Sequence, residues 1–322
     1  MAQILTITMN PAIDISTSTE RVMPTVKLRC AGLRRDPGGG GINVARVASR
    51  LGATATALYP MGGHVGQLLQ RLVDAEQLRS LSIPVEEETR EDLTVLETTT
   101  GKQFRFVLPG LPLRDKEWRS CLDAVASCTP KPDFLVASGS LPPGVPDDFY
   151  AQVAKIARRW VVPMALDTSG PALRAAMDPG IDLIKPNLGE LRTLVGRSLP
   201  DEASWFEACR ELIAAGSARV VALTLGHRGA LLVTADAAWR APPLPIEPVS
   251  TVGAGDGFLG AMVWALASGQ SLKEAFRYGM AGASASLLAP GTGLGEARDI
   301  HKLVDRVLLE SVGVEAVGRV TA

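Results

Sequence analysis

Short apolar runs rich in β-branched residues alternate along this chain with segments whose apolar positions recur every three or four residues. Residues 4–9, 53–59, 134–137, 163–167, 183–185 and 220–225 read as buried strands. Between them, 42–51, 116–127, 149–159, 188–195 and 203–215 read as amphipathic helices. Such alternation predicts an α/β fold: a mainly parallel sheet covered by helices on both faces, with ligands at the C-terminal strand ends. The last third changes character, because 255–268, 272–288 and 298–310 read as successive helices.

Two stretches break the alternation. Residues 15–36 are polar and extended in character, and 93–108 carry β-rich runs on either side of Thr99-Thr-Gly-Lys102, a hairpin signature. Both point to a small sheet inserted at one end of the core, serving either as a lid over a cleft or as an edge hairpin that shields the main sheet. The expected organisation is one domain over 1–310, with the insertions at about 13–36 and 90–110 and a tail over 311–322.

Composition narrows the classes. The 322 residues are 46% hydrophobic and 21% charged with a formal net charge of −1, so no overall basic footprint for nucleic acid is present. No apolar run reaches the roughly 20 residues of a membrane span, and the N-terminus lacks a charged leader; a cytoplasmic protein with neither nucleic-acid nor membrane partners is expected. Cys30, Cys121, Cys128 and Cys209 form no C-x-x-C pair, which fits reduced thiols. With only His64, His227 and His301 available, a His-rich metal centre or a Ser-His-Asp hydrolase is poorly supported.

The most informative segment is Ser250-Thr-Val-Gly-Ala-Gly-Asp-Gly-Phe258, which leads straight into an apolar helical run. A glycine turn feeding a helix aims backbone N–H groups and the positive helix end at one spot, suited to phosphate, and places the Asp256 carboxylate beside it. Read alone, Asp256 is as well described as an N-cap. Pro37-Gly-Gly-Gly-Gly-Ile-Asn43-Val-Ala-Arg46 is a second glycine-rich helix start. It lacks the spaced G-x-G-x-x-G of a dinucleotide fold, and no Walker A motif is present, so ATP use would proceed without a P-loop. Lys185-Pro-Asn187-Leu-Gly-Glu190 closes a strand and opens a helix; Glu190 is a Mg²⁺ organiser acting through water or the capping-box partner of Asn187. Thr224-Leu-Gly226-His-Arg-Gly229 is a nucleotide edge or a plain β-hairpin. Asp14, Lys27 and Arg90 complete the set, as sugar and phosphate contacts or as solvated charge.

Taken together, these residues resemble the PfkB (ribokinase-like) family of sugar kinases. One family signature matches Gly38 to Arg46, the other Asp167 through Asn187 and Glu190 together with Thr251-Val-Gly-Ala-Gly-Asp256. The resemblance covers about 1–310 and implies a ribokinase-like three-layer αβα core with a small β-sheet lid. It further implies ATP-dependent phosphorylation of the C1 hydroxyl of fructose 6-phosphate, with fructose 1-phosphate or tagatose 6-phosphate as alternative acceptors. By the same resemblance Asp256 is the general base, and Gly253, Ala254 and Gly255 form the anion hole. Asp14, Gly39, Gly40, Asn43, Ser138 and Gly139 hold the sugar, with Lys27 and Arg90 on its phosphate. Lys185, Asn187, Thr224, Gly226, Gly229 and Ser284 line the ATP side, and Glu190 organises Mg²⁺. Many family members bind K⁺; the matching positions are Ser250, Val252, Ser286 and Gly291, with Ala289 and Gly293 offering only backbone groups. Met23 stands where relatives have a tyrosine, and pairing of lid sheets in a homodimer is implied. The competing classes are a non-catalytic sugar-phosphate sensor and an NAD-dependent dehydrogenase, the latter disfavoured by the missing fingerprint.

Overall fold

The computed structural model describes residues 1–312. The chain begins with β1 (Gln3–Ile7), β2 (Ala12–Thr19) and β3 (Ala31–Gly38), then α1 (Gly40–Arg50), β4 (Thr54–Met61), α2 (Gly63–Ala75) and β5 (Arg79–Pro84). It continues through β6 (Arg90–Glu97), β7 (Gln103–Phe106), α3 (Asp115–Ala126), β8 (Phe134–Ser138), α4 (Phe149–Trp160), β9 (Met164–Asp167) and α5 (Gly170–Ala176). Then follow β10 (Ile181–Ile184), α6 (Leu188–Val195), α7 (Glu202–Ala214), β11 (Ala218–Thr224), β12 (Ala230–Val233) and β13 (Ala238–Ala241). The last elements are α8 (Ala254–Ala267), α9 (Leu272–Leu287), α10 (Ala297–Val304) and β14 (Glu310–Ser311).

Ten strands form one sheet in the order β14-β13-β12-β11-β10-β9-β8-β1-β4-β5. From β11 to β5 every pairing is parallel, whereas β12, β13 and β14 are added antiparallel. A parallel sheet needs cover on both faces, and it has it. Residues of α1, α2, α8, α9 and α10, with Ile42, Leu69, Phe258, Phe276 and Ile300, pack one face. Residues of α3 to α7, including Trp118, Phe149, Leu173, Leu191 and Trp205, pack the other. The three-layer expectation therefore holds. The middle of helix α8, Gly257 to Val263, is apolar on every side because it is buried on every side: it sits between α1 and α9, and Gly260 and Gly257 let both neighbours approach.

The two stretches that break the alternation come together as a second sheet, in the order β3-β2-β6-β7. The turn at Thr99-Thr-Gly-Lys102 joins β6 to β7 as an antiparallel hairpin, as its sequence predicts.

Several elements differ from the sequence reading. Helix α2 and strand β5 lie in a stretch read as neither. Only Gly66, Leu69 and Val73 of α2 are buried, a stripe too thin to stand out, and β5 is a mostly half-exposed edge strand. The helix expected over 298–310 ends at Val304; Val307 then packs into the core and Glu310–Ser311 adds to the sheet edge beside β13. Neither glycine nor proline marks that stop. The tail expected over 311–322 lies, beyond residue 312, outside the described residues. No helix among the described residues is long and apolar enough to cross a membrane.

Candidate active site

The parallel strands deliver their C-terminal ends to one edge. Beyond β1, the Thr8 hydroxyl accepts from the N–H of Ile42 in α1 (2.8 Å), tying the glycine-rich helix start to the central strand. Next door, Ser138 ends β8 in register with Asp167 at the end of β9, and the N–H of Gly139 donates to the Asp167 carbonyl (2.9 Å). One strand further, Lys185 follows β10 and places its Nζ 3.1 Å from Asp167 Oδ1. Thr224 then ends β11, bridged to Asn187, its N–H donating to the Pro186 carbonyl (2.9 Å).

Against this edge stand the N-termini of α1 and α8. Gly40 allows α1 to come that close: a Cβ there would lie 2.2 Å from Ser138 Oγ. Gly253, with φ of 77°, is the N-cap of α8 and no side chain caps the helix. Asp256 is therefore not the N-cap. It occupies the first turn, and its Oδ2 accepts from Asn43 Nδ2 of α1 at 2.9 Å. The N-cap description of Asp256 therefore does not hold, and the carboxylate is instead bonded across to α1.

The electrostatics are those of crowded carboxylates with few cations. Burial, helped by the negative charge of Asp167, raises Asp256 to about 6, while the Asn43 bond, Lys185 and Arg105 pull the other way. Burial likewise raises Asp14 to about 7, with Asp92 and Asp256 adding to the rise and Arg105 and Arg90 opposing it. The sheet register accounts for the part that Asp92 adds. Asp14 on β2 pairs with Asp36 on β3 and with Asp92 on β6, so three carboxylates share one row. Asp36 has Arg34 and Arg46, and Asp92 has Arg90, whereas Asp14 has only cations further off. For Lys185, burial opposes its charge, but Asp167 chiefly, with Asp256 and Glu190, outweighs burial and holds the amine above its ordinary value.

A family description, pfkB family carbohydrate kinase, matches residues 4–298. The chain belongs to that family. The ATP-dependent 6-phosphofructokinase isozyme 2 of Mycobacterium tuberculosis is 46% identical over 303 residues, covering 94% of this chain and 89% of the relative. A 1-phosphofructokinase of Haloferax volcanii is 35% identical, covering 92% of this chain and 95% of its own length. Crystal structures of phosphofructokinase-2 from Escherichia coli, in complex with fructose-6-phosphate and with potassium, superpose with a TM-score of 0.89 at 38% and 39% identity. Each covers 95% of this chain and 99% of its own.

The residues expected at the site are distributed along this edge as follows. Gly39, Gly40, Asn43, Ser138, Gly139 and Asp14 converge: a Cβ on Gly38 would lie 2.5 Å from Asp14 Cγ, and Gly139 is nearest to the Gly40 amide. Of the residues expected on the ATP side, Lys185, Asn187 and Thr224 adjoin, together with Glu190. Asn187 and Glu190 form a reciprocal capping box, Asn187 Oδ1 accepting from the Glu190 N–H (2.9 Å) and Glu190 Oε2 from the Asn187 N–H (2.8 Å). Helix capping is thus an observed role of this pair, and it leaves Glu190 Oε1 for another partner; burial raises its pKa. Gly226 and Gly229 form the tight turn into β12, where a Cβ on Gly229 would meet the Ala241 carbonyl at 2.1 Å, so backbone packing requires a glycine there. The Ser284 hydroxyl donates to Met280 within α9 (2.8 Å).

The two cations expected at the sugar phosphate lie in different settings. Arg90 is half-buried and engaged, donating to Asp92 (3.0 Å), Leu108 (2.8 Å) and Asn10 (3.3 Å). Lys27 is exposed in the β2–β3 connection, as is Met23. The residue that sequence reasoning missed is Arg105 on β7, whose charge acts on both Asp14 and Asp256. Its position follows only from the pairing of Thr94 with Arg105, a register that no local signal announces.

The suggested cation positions also meet. Ser250 Oγ donates to the Gly291 carbonyl (2.6 Å) and accepts from the Val252 N–H (3.2 Å), joining the turn before α8 to the loop after α9. The carbonyl oxygens at this junction are neutral, the kind a monovalent cation takes, while the Ser250 hydroxyl is engaged in both bonds. The Ser286 hydroxyl is engaged with Gly282 and Gly295, which leaves its backbone as the only contributor. Among the described residues no three His, Cys, Asp or Glu are grouped to hold a metal.

Proposed function

We propose that the chain transfers the γ-phosphoryl group of ATP to the C1 hydroxyl of fructose 6-phosphate, giving fructose 1,6-bisphosphate and ADP. The observation that carries this reading is the placement of Asp256, aimed by Asn43 into the cleft beside the uncapped N–H groups at the start of α8. Asp256 takes the proton of the acceptor hydroxyl as its oxygen attacks phosphorus. The N–H groups of Gly253, Ala254 and Gly255 receive the charge on the phosphoryl oxygens, a preorganised electrostatic role that carries much of phosphoryl-transfer catalysis. A raised Asp256 pKa of about 6 serves a base at neutral pH: the group is ionised, yet basic enough to accept a proton.

Asp14, Gly39, Gly40, Asn43, Ser138 and Gly139 surround the sugar, and Arg105, Arg90 and Lys27 supply the positive field for its phosphate. Lys185, Asn187 and Thr224 border the nucleotide. Glu190 and the neighbouring Asp167 are the carboxylates that would hold Mg²⁺ through water, where the ion would neutralise phosphate charge. K⁺ would be held at the Ser250, Val252, Ser286 and Gly291 positions, a reading supported by their neutral oxygens and by the existence of a potassium complex of the Escherichia coli relative. The second sheet acts as a lid, and its exposed apolar residues Val26, Leu33, Phe106 and Val107 support a homodimer that covers them. A cytoplasmic address accompanies this reading.

The 1-phosphofructokinase relative supports a second acceptor, fructose 1-phosphate, in the same cleft. The test of the base assignment is Asp256→Asn at saturating ATP and sugar phosphate. A loss of about a hundredfold to ten-thousandfold in kcat with sugar affinity retained is expected. Near-normal turnover refutes it.

A further inference from the structure

Helix α1 carries a charged side chain that the phosphoryl-transfer reading leaves without a role. The side chain of Arg46 is wholly shielded from solvent. A buried guanidinium needs partners for its donors, and those partners are specific. Nη1 donates to the Asn43 Oδ1 (3.2 Å) and to the Pro37 carbonyl (3.3 Å). Nη2 donates to Glu76 Oε1 (2.5 Å) and lies 3.7 Å from Asp36 Oδ1.

Asn43 is thus held from both ends. Its Oδ1 accepts from Arg46, and its Nδ2 donates to Asp256 Oδ2. Turning the amide over would set its NH₂ against a guanidinium donor and its oxygen against a carboxylate, losing both bonds. The guanidinium therefore decides which atom of Asn43 faces the base. We propose that Arg46, anchored by Glu76 and Asp36, is a positioning residue for phosphoryl transfer: it locks the Asn43 amide so that Asp256 is held with one oxygen bonded and the other free for the acceptor hydroxyl.

The anchors extend beyond α1. Asp36 Oδ2 accepts from the Thr292 hydroxyl (2.6 Å), and Arg50, which shares Glu76, donates to the Leu294 carbonyl (2.9 Å). One buried cluster thereby joins β3 of the small sheet, α1 and the loop after α9. The alternative is that Arg46 serves stability alone, since removing one member of a buried ion pair is costly wherever it sits.

The inference rests on Asp256 being the base, and a double-mutant cycle separates the two claims. kcat, both KM values and the melting temperature are measured for wild type, Arg46→Lys, Asn43→Ala and the double variant. Lysine keeps a positive charge for Glu76 and Asp36 but lacks the fork that reaches Asn43 at the same time. Arg46→Lys is expected to lower kcat roughly tenfold to a hundredfold with KM for ATP unchanged. In the Asn43→Ala background it is expected to cost less than about twofold, because the pair acts as one unit. Equal losses in both backgrounds, or no loss in a folded Arg46→Lys protein, overturn the proposal. Should Arg46→Lys show no cooperative melting, Glu76→Gln enters the same cycle, with a smaller loss again confined to the Asn43 background; additive losses overturn the proposal there too. Failure of the base assignment is seen separately, as an active Asp256→Asn enzyme, and the inference then falls with it.

Discussion

Replacing Asp256 by Asn is expected to make the protein more stable while it destroys activity, and the size of the gain follows from the site. The carboxylate is raised from 3.8 to about 6, chiefly by burial, so the folded state resists ionisation that the unfolded chain accepts freely. At 1.36 kcal/mol for each tenfold change, the folded protein carries a penalty of about 3 kcal/mol once Asp256 is ionised. The side chain is still partly open to the cleft, and screening reduces the figure to about 1–2 kcal/mol. Asparagine can present its amide oxygen to Asn43 and so keep the bond now made by Oδ2. The sign is fixed by linkage: a carboxyl with a raised folded pKa binds more protons folded than unfolded between its two values. The penalty is therefore absent below about pH 4, grows through pH 5 and is complete above about pH 6. Thermal melts of wild type and Asp256→Asn across pH 4.5 to 8 check this, with a gain of roughly 2–4 °C expected at pH 8 and shrinking towards the acid end. A variant less stable than wild type at pH 8, or a difference that does not change with pH, refutes the reasoning.

Other expectations follow from the same geometry. The kcat/KM of the wild type should fall about tenfold per pH unit below about pH 6 as Asp256 gains its proton, measured as initial rates across pH 5 to 8. Gly40→Ala places a methyl group 2.2 Å from Ser138 Oγ, and the displaced start of α1 carries Asn43 with it. A stability loss of about 1–3 kcal/mol and a raised sugar KM are expected from melts and kinetics. Arg105→Gln should raise KM for the sugar phosphate at least about tenfold and leave KM for ATP unchanged, since its charge acts on Asp14 and Asp256. Val161, exposed after α4 with φ of 59°, is a β-branched residue in the left-handed region; Val161→Gly should stabilise by about 1 kcal/mol, seen as a higher Tm with kinetics unaltered.

How far the sequence carries depends on whether a feature is local. The strands that line the cleft are buried on both faces, so their apolar runs stand out, and the glycine turns before α1 and α8 mark helix starts. The capping box at Asn187 and Glu190 is local for the same reason, with both bonds formed within one turn. What stays hidden is set by pairing across the chain. Arg105 reaches the site only because β7 pairs with β6 and β6 with β2, and the raised pKa of Asp14 comes in part from Asp92, placed beside it by register. Arg46 reads as an ordinary helical arginine until Glu76 and Asp36, from two other elements, close over it. Lys27 stays hidden for another reason: it lies in an exposed connection, where neither burial nor pairing fixes its position in the sequence pattern.

The central claim is tested most directly by wild-type initial rates with ATP and Mg²⁺ on fructose 6-phosphate, fructose 1-phosphate and tagatose 6-phosphate, with the phosphorylated position of each product assigned by phosphorus NMR. The account predicts the highest kcat/KM for fructose 6-phosphate and a product carrying phosphate on C1 and C6. A preference for either of the other two sugars, or binding without turnover across all three, would contradict it.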